Sequence, residues 1–97
     1  MNIKGKIISD KDLYNAVLSL KNTEECRAFF EDLCTVSEIN AMSQRLEVAK
    51  MLSENCPYSE IVKATHASSA TISRVGRCLN YGDGGYRLVL DKLKECE

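Results

Sequence analysis

The sequence contains few residues that interrupt helices. Its 97 residues include one proline, Pro57, and five glycines, four of which lie near one end of the chain or in one short turn: Gly5, Gly82, Gly84 and Gly85. Proline and glycine are the strongest breakers of regular structure, so their scarcity favours helices. Only the stretch 3–8 alternates weakly in the manner of a strand, and Gly5 lies inside it. The sequence predicts an all-α fold of about six helices in a single domain, residues 1–97.

No metal-binding pattern is present. The five cysteines include no CxxC pair, and His66 is the only histidine: the cysteines are Cys26, Cys34, Cys56, Cys78 and Cys96. A structural zinc site needs several such ligands at close spacing, so we expect no metal. Cys26, Cys34 and Cys78 fall among apolar neighbours, as is typical of free thiols in a reducing cytoplasm. Cys56 and Cys96 are the expected exposed thiols, and a redox sensor is an open alternative.

Other absences exclude further classes. There is no leader-like start and no apolar run of about 18 residues, so neither secretion nor membrane insertion is expected. No nucleophile lies near a base, and the glycine-rich GDGG stretch follows a helix, so turn chemistry explains it without a cofactor. We therefore predict a cytoplasmic protein that is not an enzyme and has no cofactor.

Candidate capping residues divide the chain into six helices. Serine, threonine and aspartate side chains accept hydrogen bonds from free amides at helix starts, and the Thr-x-x-Glu pattern forms a reciprocal capping box. Proline is tolerated in a first turn because its missing N–H has no partner there. The predicted starts are Ser9 or Asp10, Thr23, the capping box Thr35–Glu38, Pro57, Ser68 and Tyr86.

Apolar residues at helical spacing predict the inward faces of these helices. The third helix, to about Ser53, has a stripe too wide for one small neighbour. The expected inward residues are Leu13, Val17 and Leu20 of the first helix, Cys26, Phe29, Phe30 and Leu33 of the second, Ile39, Met42, Leu46, Val48, Ala49, Met51 and Leu52 of the third, and Leu88, Leu90 and Leu93 of the last. This surplus of apolar surface predicts a homodimer whose association completes the core.

The stretch YSEIVKATHASSATISRVGRCL predicts a helix-turn-helix at about residues 57–79. Ile61, Ala67, Ile72 and Val75 have offsets of 0, 6, 11 and 14 residues, which can lock two helices at a steep angle. His66 stands where such turns usually have glycine; histidine tolerates a left-handed backbone better than most residues. We expect His66 to be a solvated turn residue without a proton or metal role.

The second helix of this unit has an unusual polar face. Its predicted outward residues are small, hydroxylated or basic: Ser69, Ala70, Ser73, Arg74 and Arg77. A solvated bundle helix would more often expose Glu and Lys, yet no acid occurs between Lys63 and Asn80. Small and hydroxylated side chains fit the major groove, and arginine reaches guanine edges or phosphates. An ordinary bundle is the alternative, and DNA recognition is favoured.

The distribution of charge permits DNA binding. The net charge is −1, but residues 57–82 hold Lys63, Arg74 and Arg77 against Glu60 alone. The first eleven residues likewise hold three lysines, including Lys4 and Lys6, against one acid. The middle is acidic, with Glu24, Glu25, Glu31, Asp32 and Glu38. Two basic segments are compatible with phosphate binding despite the near-neutral total.

The segments LCTVSEINAMSQRLEVAKMLSE and SSATISRV…RCLNYGDGGY resemble the Trp repressor superfamily, and within it the Trp-repressor-like YerC/YecD group. The resemblance spans about residues 33–93. It implies an all-α intertwined homodimer that regulates transcription in the cytoplasm. It also implies that Gln44 and Tyr58 approach the DNA backbone, and that Ser59, Ser69, Ala70 and Ser73 lie near bases. With the local reasoning, the predicted DNA-binding set is Gln44, Tyr58, Ser59, Lys63, Ser68, Ser69, Ala70, Thr71, Ser73, Arg74 and Arg77.

The resemblance also implies an effector pocket. Arg45, Arg74 and Thr35 match residues that hold tryptophan in the family, and Cys78 takes the place of a serine there. Val75 takes the place of a glycine, so it adds volume where the indole would lie, and Cys78 is a weaker hydrogen-bond partner. We therefore expect a corepressor other than tryptophan, if there is one. Arg45 and Arg74 alternatively pair with acids, bind another anion or contact DNA.

Two functions follow from the sequence. The first is a homodimeric, sequence-specific transcriptional regulator, a repressor, whose two recognition helices, roughly 34 Å apart, read a near-palindromic operator. The second is a helical protein-interaction module that retains the fold without binding DNA, which the acidic middle favours.

Overall fold

The computed structural model describes residues 8–95, and this part of the chain contains helices and no strands. The six helices are α1 Lys11–Leu18, α2 Thr23–Leu33, α3 Val36–Ser53, α4 Tyr58–Thr65, α5 Ser69–Tyr81 and α6 Gly85–Glu95. The predicted all-α fold is confirmed. The weak strand lies outside the described residues except for Ile8, as do Lys4, Lys6 and Cys96. None of the described helices combines the length and apolar composition needed to cross a bilayer.

Most helix starts lie where the capping residues predict. α1 follows Asp10, α3 follows Thr35 and α5 follows Ser68. The prediction for α2 was wrong by one residue: Asn22 is the cap, its side chain accepts from the Glu25 amide at 2.9 Å, and Thr23 is the first helical residue. The extended backbone of Asn22, with φ −156° and ψ 175°, directs its amide oxygen at the helix start.

Two further boundaries differ by one or two residues. Pro57 precedes α4 rather than opening it, because its ψ of 150° is extended, and its carbonyl accepts from the amides of Glu60 and Ile61 at 3.1 Å. α5 continues to Tyr81, beyond the predicted Leu79. The Gly82 amide closes this last turn by donating to the Cys78 carbonyl at 2.9 Å.

The contacts divide the chain into two compact units, residues 1–36 and 37–97. All the buried residues described belong to the second unit and are apolar: Val48, Ala49, Ile61, Ala67, Ile72, Val75, Leu79 and Leu90. α3, α4, α5 and α6 each contribute to this cluster. The burial of apolar surface is the main stabilising term available to so small a core.

The described part of the first unit, residues 8–36, has no buried core. α1 and α2 contain no buried residue, although Phe29 and Phe30 contact each other edge to face with ring centroids 5.5 Å apart. The predicted inward residues Leu13 and Leu33 are 41% and 52% exposed, so one chain does not bury them, whereas Leu20, Cys26, Phe29 and Phe30 are half-buried. Two short helices cannot enclose a side chain by themselves.

Part of the predicted apolar stripe of α3 is also uncovered. Val48 and Ala49 are fully buried, whereas Met42 and Leu46 remain 38% and 37% exposed. On α6, Leu90 is buried while Leu88 is 58% exposed. The helical spacing therefore identified the stripes, but one chain covers only part of each.

The cysteines depart from their predicted environments. Cys26, Cys34, Cys56 and Cys78 are free thiols. Cys56 is half-buried and packs against the core, because the chain turns back there and its amide donates to the Met51 carbonyl at 3.0 Å. Cys78, expected among apolar neighbours, is exposed. The predicted exposures of Cys56 and Cys78 are thus wrong.

Replacing Gly82 by alanine is expected to destabilise the fold. A Cβ at Gly82 would lie 2.4 Å from the Cys78 carbonyl oxygen, a backbone atom that cannot move away cheaply. We expect a loss of about 1–3 kcal/mol in the free energy of unfolding, as for other overpacked sites. Chemical denaturation measures it. Gly85→Ala is the control, since its Cβ would meet no atom within 4 Å. Equal stabilities of the two variants would contradict the prediction.

Candidate nucleic-acid interface

α4 and α5 pack around the four predicted residues. Ile61, Ala67, Ile72 and Val75 are 0%, 3%, 0% and 1% exposed. Ile61 lies on α4, Ala67 in the turn, and Ile72 and Val75 on α5. The predicted helix-turn-helix packing is confirmed, and its interior is apolar throughout.

The turn between these helices is left-handed at His66. Its φ of 58° and ψ of 19° match the conformation expected from the sequence. The His66 amide donates to the Val62 carbonyl at 2.8 Å, which ends α4. The side chain is exposed, in agreement with a solvated turn residue.

Ser68 caps α5 and binds Thr71. The Ser68 Oγ accepts from the Thr71 amide at 3.1 Å, and its hydroxyl donates to Thr71 Oγ1 at 3.1 Å. The N-cap prediction is confirmed. Thr71, a member of the predicted DNA-binding set, is half-buried.

The outward face of α5 is free of the core. Ser69, Ala70, Ser73, Arg74 and Arg77 are all exposed, whereas Ile72, Val75 and Leu79 on the opposite side are buried. Residues four positions apart are neighbours on a helix, so 69, 73 and 77 form one row and 70 and 74 an adjacent one. The result is a continuous surface of hydroxyl, methyl and guanidinium groups.

α4 carries further exposed groups from the predicted DNA-binding set. Tyr58, at the start of α4, is 53% exposed, and Ser59 and Lys63 are exposed as well. All three belong to the same compact unit as α5. The DNA-contacting roles of these residues and of the α5 face stay predictions.

Gln44 has an internal contact that the sequence did not indicate. It is half-buried on α3, and its Nε2 donates to the Thr65 carbonyl at 3.0 Å. Thr65 is the last residue of α4, next to the turn. The role of Gln44 at the DNA backbone stays a prediction, whereas its contact with the turn is a structural fact. Thr65 was missed; a β-branched hydroxyl residue before a non-glycine turn was the available signal.

The predicted effector residues differ in their surroundings. Arg45 is half-buried, whereas Arg74 and Cys78 are exposed, and Thr35 lies in the other compact unit. The Val75 side chain is part of the core. Within residues 8–95, no three His, Cys, Asp or Glu side chains lie close enough together to hold a metal ion.

Comparison with known proteins agrees with this geometry. The profile of the family described as Trp repressor protein matches residues 10–94. The uncharacterised protein YerC of Bacillus subtilis (strain 168) is 54% identical over 95 residues, which cover 98% of this chain and 89% of that protein.

Solved structures are similar over most of the chain. A candidate Trp repressor from Staphylococcus aureus superposes with a TM-score of 0.84 at 49% identity, over 87% of this chain and 84% of that one. A TrpR-like protein from Eubacterium eligens ATCC 27750 has a TM-score of 0.84 at 54% identity, over 87% of each chain. Profile, relative and structures point to one family. The chain therefore belongs to the Trp repressor family and, within it, to the Trp-repressor-like YerC group.

Proposed function

We propose that this protein is a homodimeric, sequence-specific DNA-binding regulator of transcription, a repressor, that acts in the cytoplasm as a single domain. The observation that carries the proposal is the two-sided character of α5. One side is locked into the core by Ile72, Val75 and Leu79, and the other exposes hydroxyl and guanidinium groups. A rigid helix with a small, hydrogen-bonding outer face fits the major groove.

Specificity is proposed to come from α5. Ser69 and Ser73 offer hydroxyls that donate to or accept from base edges, and Ala70 offers a methyl group to thymine. Arg74 can donate two hydrogen bonds to guanine. Ser68 and Thr71 contribute by fixing the helix start, where free amides favour a phosphate.

Affinity is proposed to come from phosphate contacts. Lys63 and Arg77 are exposed cations, and Tyr58 and Ser59 add hydroxyls at the start of α4. Each cation that neutralises a phosphate releases a counterion, so binding should weaken steeply as salt rises. The net charge of −1 for the chain makes this local cluster, rather than the whole molecule, responsible.

The uncovered apolar surface supports the dimer. Leu46 and Val89 are 37% and 44% exposed and line one open groove together with Tyr86. On α6, Leu88 and Leu93 are 58% and 48% exposed. Contiguous apolar patches of this kind mark association surfaces. A two-fold dimer would present two recognition helices to the two halves of a near-palindromic operator.

Leu88→Lys is expected to weaken the dimer by about fivefold or more, because burying an unpaired ammonium group in an apolar interface costs more than ~1 kcal/mol. Sedimentation across a dilution series measures the dissociation constant. Glu54→Gln is the control: Glu54 is exposed in the loop after α3, and the substitution changes the net charge by the same single unit. A wild-type chain that sediments as a monomer at every concentration would contradict the proposed dimer.

The proposed effector site uses Arg45, Arg74 and Cys78, and Thr35 is assigned to it by the family resemblance alone. The volume of Val75 argues against tryptophan there. Arg45 and Arg74 suit an anionic group.

The decisive experiment is selection of genomic fragments by the purified protein at low salt, followed by gel shifts of the selected duplex against a scrambled one over a salt series. We expect preferential binding of the selected duplex and a linear fall of log affinity with log salt. The absence of salt-sensitive binding to any fragment would contradict DNA binding and favour the protein-interaction module. The exposed acids Glu24 and Glu25 of α2 are consistent with that alternative.

A further inference from the structure

The turn between α4 and α5 is unusually well supplied with hydrogen bonds. The Thr65 hydroxyl donates to the Ile61 carbonyl at 2.7 Å, and its Oγ1 accepts from the Ala67 amide at 3.2 Å. The Thr65 carbonyl accepts from Gln44 Nε2 at 3.0 Å. Thr65 thus ties the turn to the preceding helical turn, to the residue after His66, and to α3.

These hydrogen bonds satisfy groups that a helix end leaves without partners. The last carbonyls of a helix accept no hydrogen bond from within the helix. Gln44 donates to one of them, the Thr65 carbonyl. The Ala67 amide, beyond the end of α4, obtains its acceptor from the Thr65 side chain. Both Gln44 and Thr65 are half-buried, so water is a poorer substitute for either bond.

The same bonds oppose the strain at His66. A non-glycine residue with a φ of 58° costs free energy, and such conformations persist where the surroundings over-determine them. We infer that Gln44 and Thr65 are positioning residues, whose hydrogen bonds hold the left-handed turn and thereby the orientation of α5. The effect of this positioning on DNA affinity rests on the proposed function, whereas the support of the turn by these hydrogen bonds does not depend on that function.

The structural test measures amide hydrogen exchange at Thr71 and Ile72, in the first turn of α5. Neither amide bonds to Gln44 or Thr65: Thr71 donates to Ser68 Oγ and Ile72 to the Ser68 carbonyl. In Gln44→Met, which loses one hydrogen bond, we expect exchange about fivefold faster, the equivalent of ~1 kcal/mol. In Thr65→Val, which keeps the shape but loses both hydrogen bonds of the hydroxyl, we expect an increase at least as large. Thr65→Ser keeps the hydroxyl and should exchange like the wild type.

His66→Gly separates positioning from simple loss of stability. Glycine adopts positive φ without steric cost, so the turn should no longer depend on the three hydrogen bonds of Thr65 and Gln44. Adding His66→Gly to Thr65→Val or to Gln44→Met should return exchange at Thr71 and Ile72 to the wild-type rate. Unchanged exchange in the single variants, or no recovery with His66→Gly, would overturn the inference.

The DNA test uses the duplex selected by the wild-type protein. Thr65→Val and Gln44→Met should bind it about fivefold more weakly, and His66→Gly should restore both. A loss in Gln44→Met that persists with His66→Gly would overturn positioning for Gln44 and indicate direct DNA contact. If the wild type binds no duplex, the proposed function fails, and the exchange measurements still decide whether the turn is held as described.

Discussion

Ile61→Ala is expected to lower the free energy of unfolding by about 2–5 kcal/mol. Ile61 is 0% exposed and connects α4 with Ile72 and Val75 of α5. Truncation removes its buried methyl groups and leaves a cavity, because helices joined by so short a turn cannot close on the space. Urea denaturation at one fixed protein concentration measures the change, since association contributes to stability.

Val62→Ala is the matched control on the same helix. Val62 is the next residue along α4 and is 44% exposed, so its truncation removes far less buried surface. We expect its effect to stay within about 1 kcal/mol. Similar losses in the two variants would show that α4 is not anchored through Ile61.

Arg74→Ala is expected to weaken binding to the selected duplex by about 5- to 150-fold, which corresponds to 1–3 kcal/mol for an arginine that reads a base, and to relax specificity at one position. Arg74 is exposed in the centre of the outward face of α5, between Ala70 and Arg77. Competition gel shifts with single-base-pair variants of the duplex measure both effects.

Two further variants make the Arg74 prediction specific. Arg74→Lys keeps the charge but loses the planar fork, so we expect it to retain non-specific affinity while losing discrimination. Arg27→Ala removes the same charge from an exposed position on α2 and should leave discrimination intact. Full affinity and specificity in Arg74→Ala would remove Arg74 from the recognition role.

Local patterns predicted the helix-turn-helix well. The four packing residues, the left-handed His66 and the Ser68 cap all depend on near neighbours in the chain, so their spacing suffices to identify them. The cap of α2 was misplaced by one residue because Asn22 and Thr23 are both competent caps, and only the backbone angles distinguish them. The contact of Gln44 with Thr65 was not predictable, because it joins residues 21 positions apart.

Burial was predicted less well than helical structure. Leu13, Leu33 and Leu88 have the spacing of inward faces yet are exposed in one chain. Periodicity shows which side of a helix is apolar, but it does not show what covers that side. For α1, α2 and much of α6, the proposed cover is a second copy.

The order of residues along the chain was sufficient for the six helices, the turn and the chemistry of the α5 face, since each depends on interactions within a few residues. Folding in three dimensions was needed to show that Leu46 and Leu88 stay exposed in one chain, that Cys56 is sheltered and Cys78 is not, and that Gln44 supports the turn. Burial and long-range hydrogen bonds depend on which distant segments of the chain come into contact, and the local sequence does not specify those contacts.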